Sequence, residues 1–301
     1  MKMLPNFVII GAQKSASSFL QSCLSDHPDC FLPKGETPFF ESPDYENSNI
    51  NDLESQFEER NEKCLGIKRP NYIGKPEVPE RILYHLPNAK LIAVLRNPID
   101  RAISAYYHYI KDGFIPPKNV EIGMRKILND SSFLQKYKRS SEIIEFGYYY
   151  KYLLLYNNYY QNNQLLFFLH DDILQNPLNC IQKAYQFLDL DYSFVPLSLN
   201  SRPQKVMYNL SRLKVLSYRN NFMYTYNENK TRLFPKKMSK HDKMIVKIIN
   251  KIDTVILKKI LPNRKPNVSY ELRRELYQIY KDDIKSLENL IGRNLDIWKP
   301  E

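Results

Sequence analysis

The stretch FVIIGAQKSASSFLQSCL, residues 7–24, decides the fold. Its first four residues are apolar and run into a glycine, as is typical of a buried parallel strand. A lysine and small hydroxyl residues follow, and then the apolar spacing of a helix. A strand-to-helix turn exposes backbone N–H groups at the positive end of the helix dipole, and both favour an anion. Lys14 and the serines add donors. The turn is therefore either a phosphate cradle or an ordinary turn with a solvated lysine.

This turn differs from the P-loop of nucleotide kinases. The GxxxxGK[ST] motif needs glycine directly before lysine, but Lys14 lies three positions after Gly11. A kinase also needs a carboxylate after a strand to hold Mg²⁺; the nearest ones are Asp171 and Asp172, which we expect to form a turn at the strand end. A nucleotide kinase is therefore kept as an alternative, although the sequence lacks both the P-loop lysine and an evident Mg²⁺ carboxylate.

Strands and helices alternate along the rest of the chain. Short strands are expected near 30–33 and 63–70, and longer buried strands in AKLIAVLRNP and QLLFFL. Helices are predicted between them, and from about 120 to 162. This alternation favours an α/β fold in three layers, with helices flanking a mostly parallel central sheet. We expect one domain over residues 1–301, with a basic helical segment at about 205–265 and a C-terminal helix at about 269–290.

Composition narrows the class of protein. A hydrophobic content of 43% supports a folded core. No apolar run reaches 18 residues, so no transmembrane helix is expected, and MKMLPNFVII is too short for a signal peptide. The four cysteines form no CxxC pair, so we expect neither a metal site nor a disulfide framework. These features predict a cytoplasmic protein, with a peripheral position at a membrane as the alternative.

The positive charge is concentrated in one region. The net charge is +11, and residues 205–265 contain 16 Lys/Arg against three acids. Within this region, HDKMIVKIINKIDTVILKKILP (241–262) has the spacing of a basic amphipathic helix. Such a helix either docks on the domain with a solvated lysine face, or lies on a membrane surface, or forms one wall of a groove for an anionic glycan. No nucleic-acid partner is expected.

A second candidate anion site lies in LIAVLRNPIDRAISAYYHY, residues 91–109. Arg96 ends a predicted strand, and Arg101 and Ser104 share one face of the following helix. Open α/β sheets bind ligands beyond the carboxyl ends of their strands. Arg96 and Ser104 are therefore candidates to hold a second phosphate. The alternative is a structural arginine paired with Asp100.

The two segments together resemble the sulfotransferases that use 3'-phosphoadenylyl sulfate (PAPS). In that family the first turn holds the 5'-phosphosulfate and an RxPxxRxxSxY segment holds the 3'-phosphate, which implies a P-loop-like, sulfotransferase-type fold. KGETPFFES (34–42), GIKRPNYI (66–73) and residues 146–191 resemble the heparan-sulfate and carbohydrate branch of this family.

The resemblance implies a set of residues that bind the donor. Those in the two segments are Gly11, Lys14, Ser15, Ser17, Ser18, Phe19, Arg96 and Ser104. Arg202 and Lys205 lie where the family closes a loop over the 3'-phosphate. The family turn reads KxGTT, and Ala16 replaces its glycine. Because alanine disfavours a positive φ, we expect Ala16 to be helical or extended if the turn cradles a phosphate.

The resemblance also implies catalytic roles. Lys14 would stabilise the bridging oxygen as adenosine 3',5'-bisphosphate (PAP) leaves, and Lys68 would be a second cation near the sulfuryl group. Glu36 keeps the family distance to the Phe-Phe pair and is the candidate general base. His27 and His108 are rival bases that we expect to be structural. No metal is required, because lysines and a helix N-terminus supply positive charge.

The implied function is transfer of a sulfuryl group from PAPS to an acceptor hydroxyl, on a carbohydrate or glycan, by in-line displacement. One alternative is a sulfotransferase that acts on a lipid-linked or small-molecule acceptor at a membrane surface. Another, from a different class, is a non-enzymatic basic protein that binds anions or membranes.

Overall fold

Five buried apolar runs form one parallel sheet. The computed structural model describes residues 3–201 and 206–300, so the candidates Arg202 and Lys205 lie outside the described residues. The sheet strands are β1 Phe7–Gly11, β2 Cys30–Phe31, β3 Cys64–Lys68, β4 Lys90–Leu95 and β5 Leu165–Leu169. Their order is β2-β3-β1-β4-β5, and neighbouring strands pair in parallel. The predicted fold class, an α/β fold with a mostly parallel sheet, is confirmed.

Helices and short helical turns connect the strands. The α-helices are α1 Ser17–Ser25, α2 Ile50–Glu54, α3 Val78–His85, α4 Pro98–Lys111, α5 Val120–Asn129, α6 Ser131–Lys136, α7 Glu142–Glu145, α8 Tyr149–Leu153, α9 Asn157–Gln161, α10 His170–Gln175, α11 Pro177–Phe187, α12 Leu210–Met223, α13 Lys240–Ile252, α14 Lys258–Ile260 and α15 Tyr270–Ile291. A π-helical turn, Asp253–Leu257, joins α13 to α14. The C-terminal helix thus lies within one residue of its predicted bounds at each end.

One predicted local structure is wrong. Asp171 and Asp172 do not form a turn, because helix α10 begins at His170 directly after β5. The Asp172 carboxylate accepts a hydrogen bond from the Leu169 N–H at 3.3 Å. This bond satisfies a backbone donor at the start of α10, so the acidic residues begin a helix.

The chain forms two compact units. The first takes its described residues from 3–101, 148–201 and 280–298 and contains the parallel sheet. Its core includes the β1 side chain Phe7 packed with apolar residues of α1 and α11. The second unit, from 102–147, 206–279 and 299–300, contains α12, α13 and an antiparallel strand pair, β6 Tyr224–Tyr226 and β7 Leu233–Pro235. The expectation of one domain stays a prediction.

The strand order reverses beside β1. From β1 the chain moves toward β2 and β3 on one side, whereas β4 and β5 lie on the other side. In open parallel sheets, the carboxyl ends of the strands at such a reversal leave a crevice that binds ligands. The turn after β1 and the residues after β4 therefore meet at this edge.

Candidate active site

The turn after β1 has an unusual backbone. Lys14 and Ala16 have φ values of 65° and 69°, both in the left-handed region. Ala16 is the residue before α1, and its carbonyl accepts the N–H groups of Phe19 and Leu20 at 3.0 and 3.1 Å. Our expectation of a helical or extended Ala16 is wrong. A left-handed residue that leads into a helix can turn successive N–H groups to one side, which is the geometry of an anion nest.

The other candidates in this turn differ in exposure. Ser15 and Ser17 are buried, whereas Ser18 is half-buried. Phe19 packs in the core, and its N–H already donates to Ala16. A Cβ added at Gly11 would lie 2.5 Å from a side-chain carbon of Ile73, so only glycine fits there. The roles of these residues in binding the donor stay predictions.

Lys68 ends β3 inside the protein. Its side chain is 3% exposed, and its Nζ donates to Ser18 Oγ at 3.1 Å and lies 3.9 Å from Glu36 Oε1. Burial lowers the pKa of Lys68, the Glu36 carboxylate opposes that shift, and the Arg69 charge adds to it. Three predicted site residues, Ser18, Glu36 and Lys68, are thus brought together.

Arg69 joins two carboxylates beside this cluster. Its guanidinium donates to Glu36 Oε2 at 2.5 Å and also to Glu41. Burial acts to lower the pKa of Arg69, but the charges and hydrogen bonds of Glu41 and Glu36 outweigh it and raise the pKa. The arginine therefore remains charged and holds the Glu36 carboxylate in place.

Arg96 lies at the same edge of the sheet as Lys14. Its Nη1 donates to the Lys14 carbonyl at 3.0 Å, and its own carbonyl accepts the Tyr149 hydroxyl at 2.9 Å. His170, at the end of neighbouring β5, is also close. Burial and the positive charge of Arg96 lower the pKa of His170 to about 4, with Asp171 and Asp100 opposing the shift. His170 is therefore neutral near pH 7.

Ser104 lies on α4 in the second unit. It is 1% exposed, and its hydroxyl has no hydrogen-bond partner within residues 3–201 and 206–300. Buried hydroxyls are nearly always paired, so a bound phosphate oxygen is one group that would satisfy this one. A phosphate held jointly by Ser104 and Arg96 stays a prediction.

The two rival histidines have structural contacts. His27 is buried, its Nδ1 accepts the Asp29 N–H at 3.1 Å, and its Nε2 lies 3.2 Å from the Asp191 carbonyl. His108 Nε2 lies 3.4 Å from Asp112, one turn along α4. Because both nitrogens of His27 are in use, this ring has no free position for a substrate proton.

Sequence reasoning missed four residues of this region: Glu41, Arg69, Tyr149 and His170. A usable signal existed for two of them. His170 directly follows a buried strand, as Arg96 does, and Arg69 adjoins Lys68 within GIKRPNYI. Which carboxylates Arg69 would contact could not be read from the sequence, because Glu36 and Glu41 come from a separate loop.

Comparison with protein families identifies the chain. The model of the sulfotransferase domain matches residues 4–262, which is most of the sequence. The chain belongs to the sulfotransferase family. This confirms the family that the motifs indicated. The crystal structure of a sulfotransferase from Alicyclobacillus acidocaldarius has the same fold, with a TM-score of 0.69 and 20% identity, over 98% of this chain and 99% of that one.

Two curated sulfotransferases illustrate the sequence similarity. The membrane-associated sulfotransferase kil1 of Dictyostelium discoideum is 37% identical over 113 residues, 36% of this chain and 24% of that protein. The human bifunctional heparan sulfate N-deacetylase/N-sulfotransferase 2 is 36% identical over 114 residues, 35% of this chain and 13% of that protein. The matched part of this sulfotransferase thus spans a quarter or less of these relatives.

Two kinds of feature, a metal-ligand cluster and a membrane-spanning helix, do not occur in the described residues. No group of three His, Cys, Asp or Glu side chains is placed to hold a metal ion in residues 3–201 and 206–300. In the same part of the chain, no helix is both long and apolar enough to cross a membrane.

Proposed function

We propose that this sulfotransferase transfers the sulfuryl group of PAPS to a hydroxyl of a carbohydrate acceptor and releases PAP. The observation that carries the proposal is the meeting of Lys14 with Arg96 at one sheet edge, beside the cluster of Ser18, Glu36 and Lys68. Ser104, whose buried hydroxyl has no hydrogen-bond partner among residues 3–201 and 206–300, is kept as a separate candidate for binding a phosphate. Cations and N–H groups at this edge fit a nucleotide with two separate phosphates.

The roles of the residues follow from their surroundings. When bound, the donor supplies the sulfuryl group, and charge develops on the oxygen that leaves with PAP. We assign stabilisation of that charge to Lys14 and to the N–H groups at the start of α1. Lys68 is buried beside Ser18, so its cation is held in place and little water screens it.

Glu36 is the proposed general base. Its Oε2 is held by Arg69, whereas its Oε1 faces Lys68 at the longer distance of 3.9 Å. We propose that Oε1 takes the proton of the acceptor hydroxyl as the sulfuryl group is transferred. About a third of the side chain is exposed, so an acceptor can reach this oxygen from solvent.

The acceptor class rests on similarity. The KGETPFFES and GIKRPNYI segments, which carry Glu36 and Lys68, resemble the carbohydrate branch, and several similar proteins are named as heparan sulfate sulfotransferases. These observations support a glycan acceptor, and the relative named as a 3-O-sulfotransferase supports a hydroxyl on it. Incubation with labelled PAPS and a panel of glycans, glycolipids, tyrosine peptides and small phenols tests the assignment. Label confined to peptides or phenols would contradict it.

Nucleotide binding tests the site without any acceptor. Isothermal titration calorimetry should show that Arg96→Ala weakens PAP about 10–100-fold but changes the affinity for adenosine 5'-monophosphate little, since one charge-assisted contact to the 3'-phosphate is lost. Lys14→Ala should weaken both nucleotides. Lys183→Ala, at an exposed lysine of α11, is the control and should change neither. Equal affinities of the unmodified protein for the two nucleotides would refute the proposal.

A further inference from the structure

The basic amphipathic helix predicted at 241–262 forms, but much of its apolar side is exposed. It comprises α13, the π-helical turn and α14, and along it only Val246 and Asp253 are buried. Six apolar side chains that are 40–66% exposed define what we call the apolar stripe: Met244, Ile248, Ile252, Val255, Ile256 and Ile260. Single exposed apolar residues are ordinary, but six on consecutive turns form a patch typical of an interaction surface.

Polar anchors fix which side of the helix faces outward. Arg212 of α12 makes a bidentate ion pair with Asp253, at 2.7 and 2.8 Å, and both side chains are buried. Arg219 adds a hydrogen bond to Asn250 at 2.8 Å. Because these charged and amide groups occupy the inner side, rotating the helix to bury the apolar stripe would break the Arg212–Asp253 pair. The stripe therefore stays on the outside.

Lysines flank the apolar stripe. The exposed lysines of this segment are Lys240, Lys243, Lys247, Lys251, Lys258 and Lys259. Its two acidic residues are both engaged, since Asp253 pairs with Arg212 and Asp242 accepts the Ser239 N–H at 3.2 Å as part of the helix cap. The outward side thus combines apolar side chains with a net positive charge, since six lysines outnumber the two acidic residues of the segment.

We propose that this side of the helix binds the surface of an anionic lipid bilayer. An interfacial helix buries its apolar side at the boundary between head groups and acyl chains, while lysines on its flanks meet anionic head groups. Each lysine near such a surface strengthens binding by about fivefold, which corresponds to ~1 kcal/mol. This membrane contact goes beyond the transfer reaction and does not depend on it.

Two other occupants fit the surface less well. A second copy of the chain docked stripe to stripe would place the lysines of one helix against those of the other, and like charges repel. An anionic glycan would satisfy the lysines, but it would leave six exposed apolar side chains without an apolar partner. An anionic bilayer offers acyl chains to the apolar stripe and anionic head groups to the lysines.

Flotation with lipid vesicles tests the proposal. The full chain should float with vesicles of phosphatidylcholine mixed with phosphatidylserine, and not with phosphatidylcholine alone. The triple variant K243Q/K247Q/K251Q should bind the mixed vesicles about 100-fold more weakly, because three lysine contacts are lost. The pair I248Q/I252Q should also lose binding, even at low salt.

Matched control variants show whether a loss of binding is specific to the helix at 241–262. Ile122→Gln replaces an exposed apolar residue outside the stripe, and Lys285→Gln replaces an exposed lysine outside the helix. Both variants should float with the mixed vesicles as the unmodified protein does. PAP binding by the same samples reports that the fold and the nucleotide site are intact, so a failed transfer reaction would not affect the result. Binding to heparin without flotation, or a dimer in light scattering that I248Q/I252Q abolishes, would overturn the proposal.

Discussion

Arg69 gives the most informative single perturbation of the candidate site. Its side chain is 21% exposed and bridges Glu41, which is 7% exposed, to Glu36, which is 36% exposed. Removing one partner of a fully buried ion pair costs about 3–5 kcal/mol. Because this site is partly open to water, we expect Arg69→Gln to lower the free energy of unfolding by about 2–3 kcal/mol. That is a fall in Tm of roughly 4–10 °C for a chain of this size.

Most of this loss of stability should come from removing the Arg69 charge from Glu41, because Glu41 is more deeply buried than Glu36. The double variant R69Q/E41Q removes both buried charges, so its stability should return to within about 1 kcal/mol of the unmodified protein. Its kcat for sulfuryl transfer should nevertheless stay about 10-fold or more below normal, because Glu36 has lost the group that positions it. The affinity for PAP should not change.

We would measure stability by thermal melting, PAP affinity by calorimetry, and kcat by transfer from labelled PAPS to a glycan acceptor. Arg69→Lys should recover part of kcat, since a lysine keeps the charge but loses the planar fork that reaches both carboxylates. Two results would refute the reasoning. One is an R69Q variant that melts with the unmodified protein, and the other is an R69Q/E41Q variant with full activity.

Three further predictions concern stability. Ala16→Gly should raise the free energy of unfolding by about 0.5–1 kcal/mol in urea titration, because glycine removes the strain of the positive φ; a loss of stability would contradict this. Gly66→Ala should destabilise by about 3 kcal/mol or more, since its Cβ would lie 2.1 Å from the Phe7 ring. Burial lowers the pKa of His170 to about 4. Between pH 6.5 and 4, His170 is therefore protonated in the unfolded chain but not in the native state. The free energy of unfolding falls as the pH falls through this window, by at most about 1.4 kcal/mol per pH unit. His170→Gln should flatten that part of a melting-against-pH profile, and an unchanged slope would show that another group titrates there.

The sequence by itself determined the sheet and the family. Apolar runs such as those of β1 and β4 must be buried on both faces, and glycine or proline ends them, so strand positions could be read from local pattern. The position of Arg96 at a strand end followed from the same pattern. The resemblance of the segments at 7–24 and 91–109 to known motifs then indicated the sulfotransferase family, which the match of the domain model confirms.

Only the tertiary structure decided the contacts between separate segments. The left-handed Ala16 runs against the intrinsic preference of alanine, and surrounding structure overrides such preferences. The bridge from Arg69 to Glu36 and Glu41 joins residues about thirty positions apart, for which local pattern carries no signal. Likewise, periodicity predicted an amphipathic helix at 241–262, but periodicity cannot say which side faces the protein. The buried Arg212–Asp253 pair decides that, because an ion pair enclosed at 2.7 Å holds the apolar stripe toward solvent.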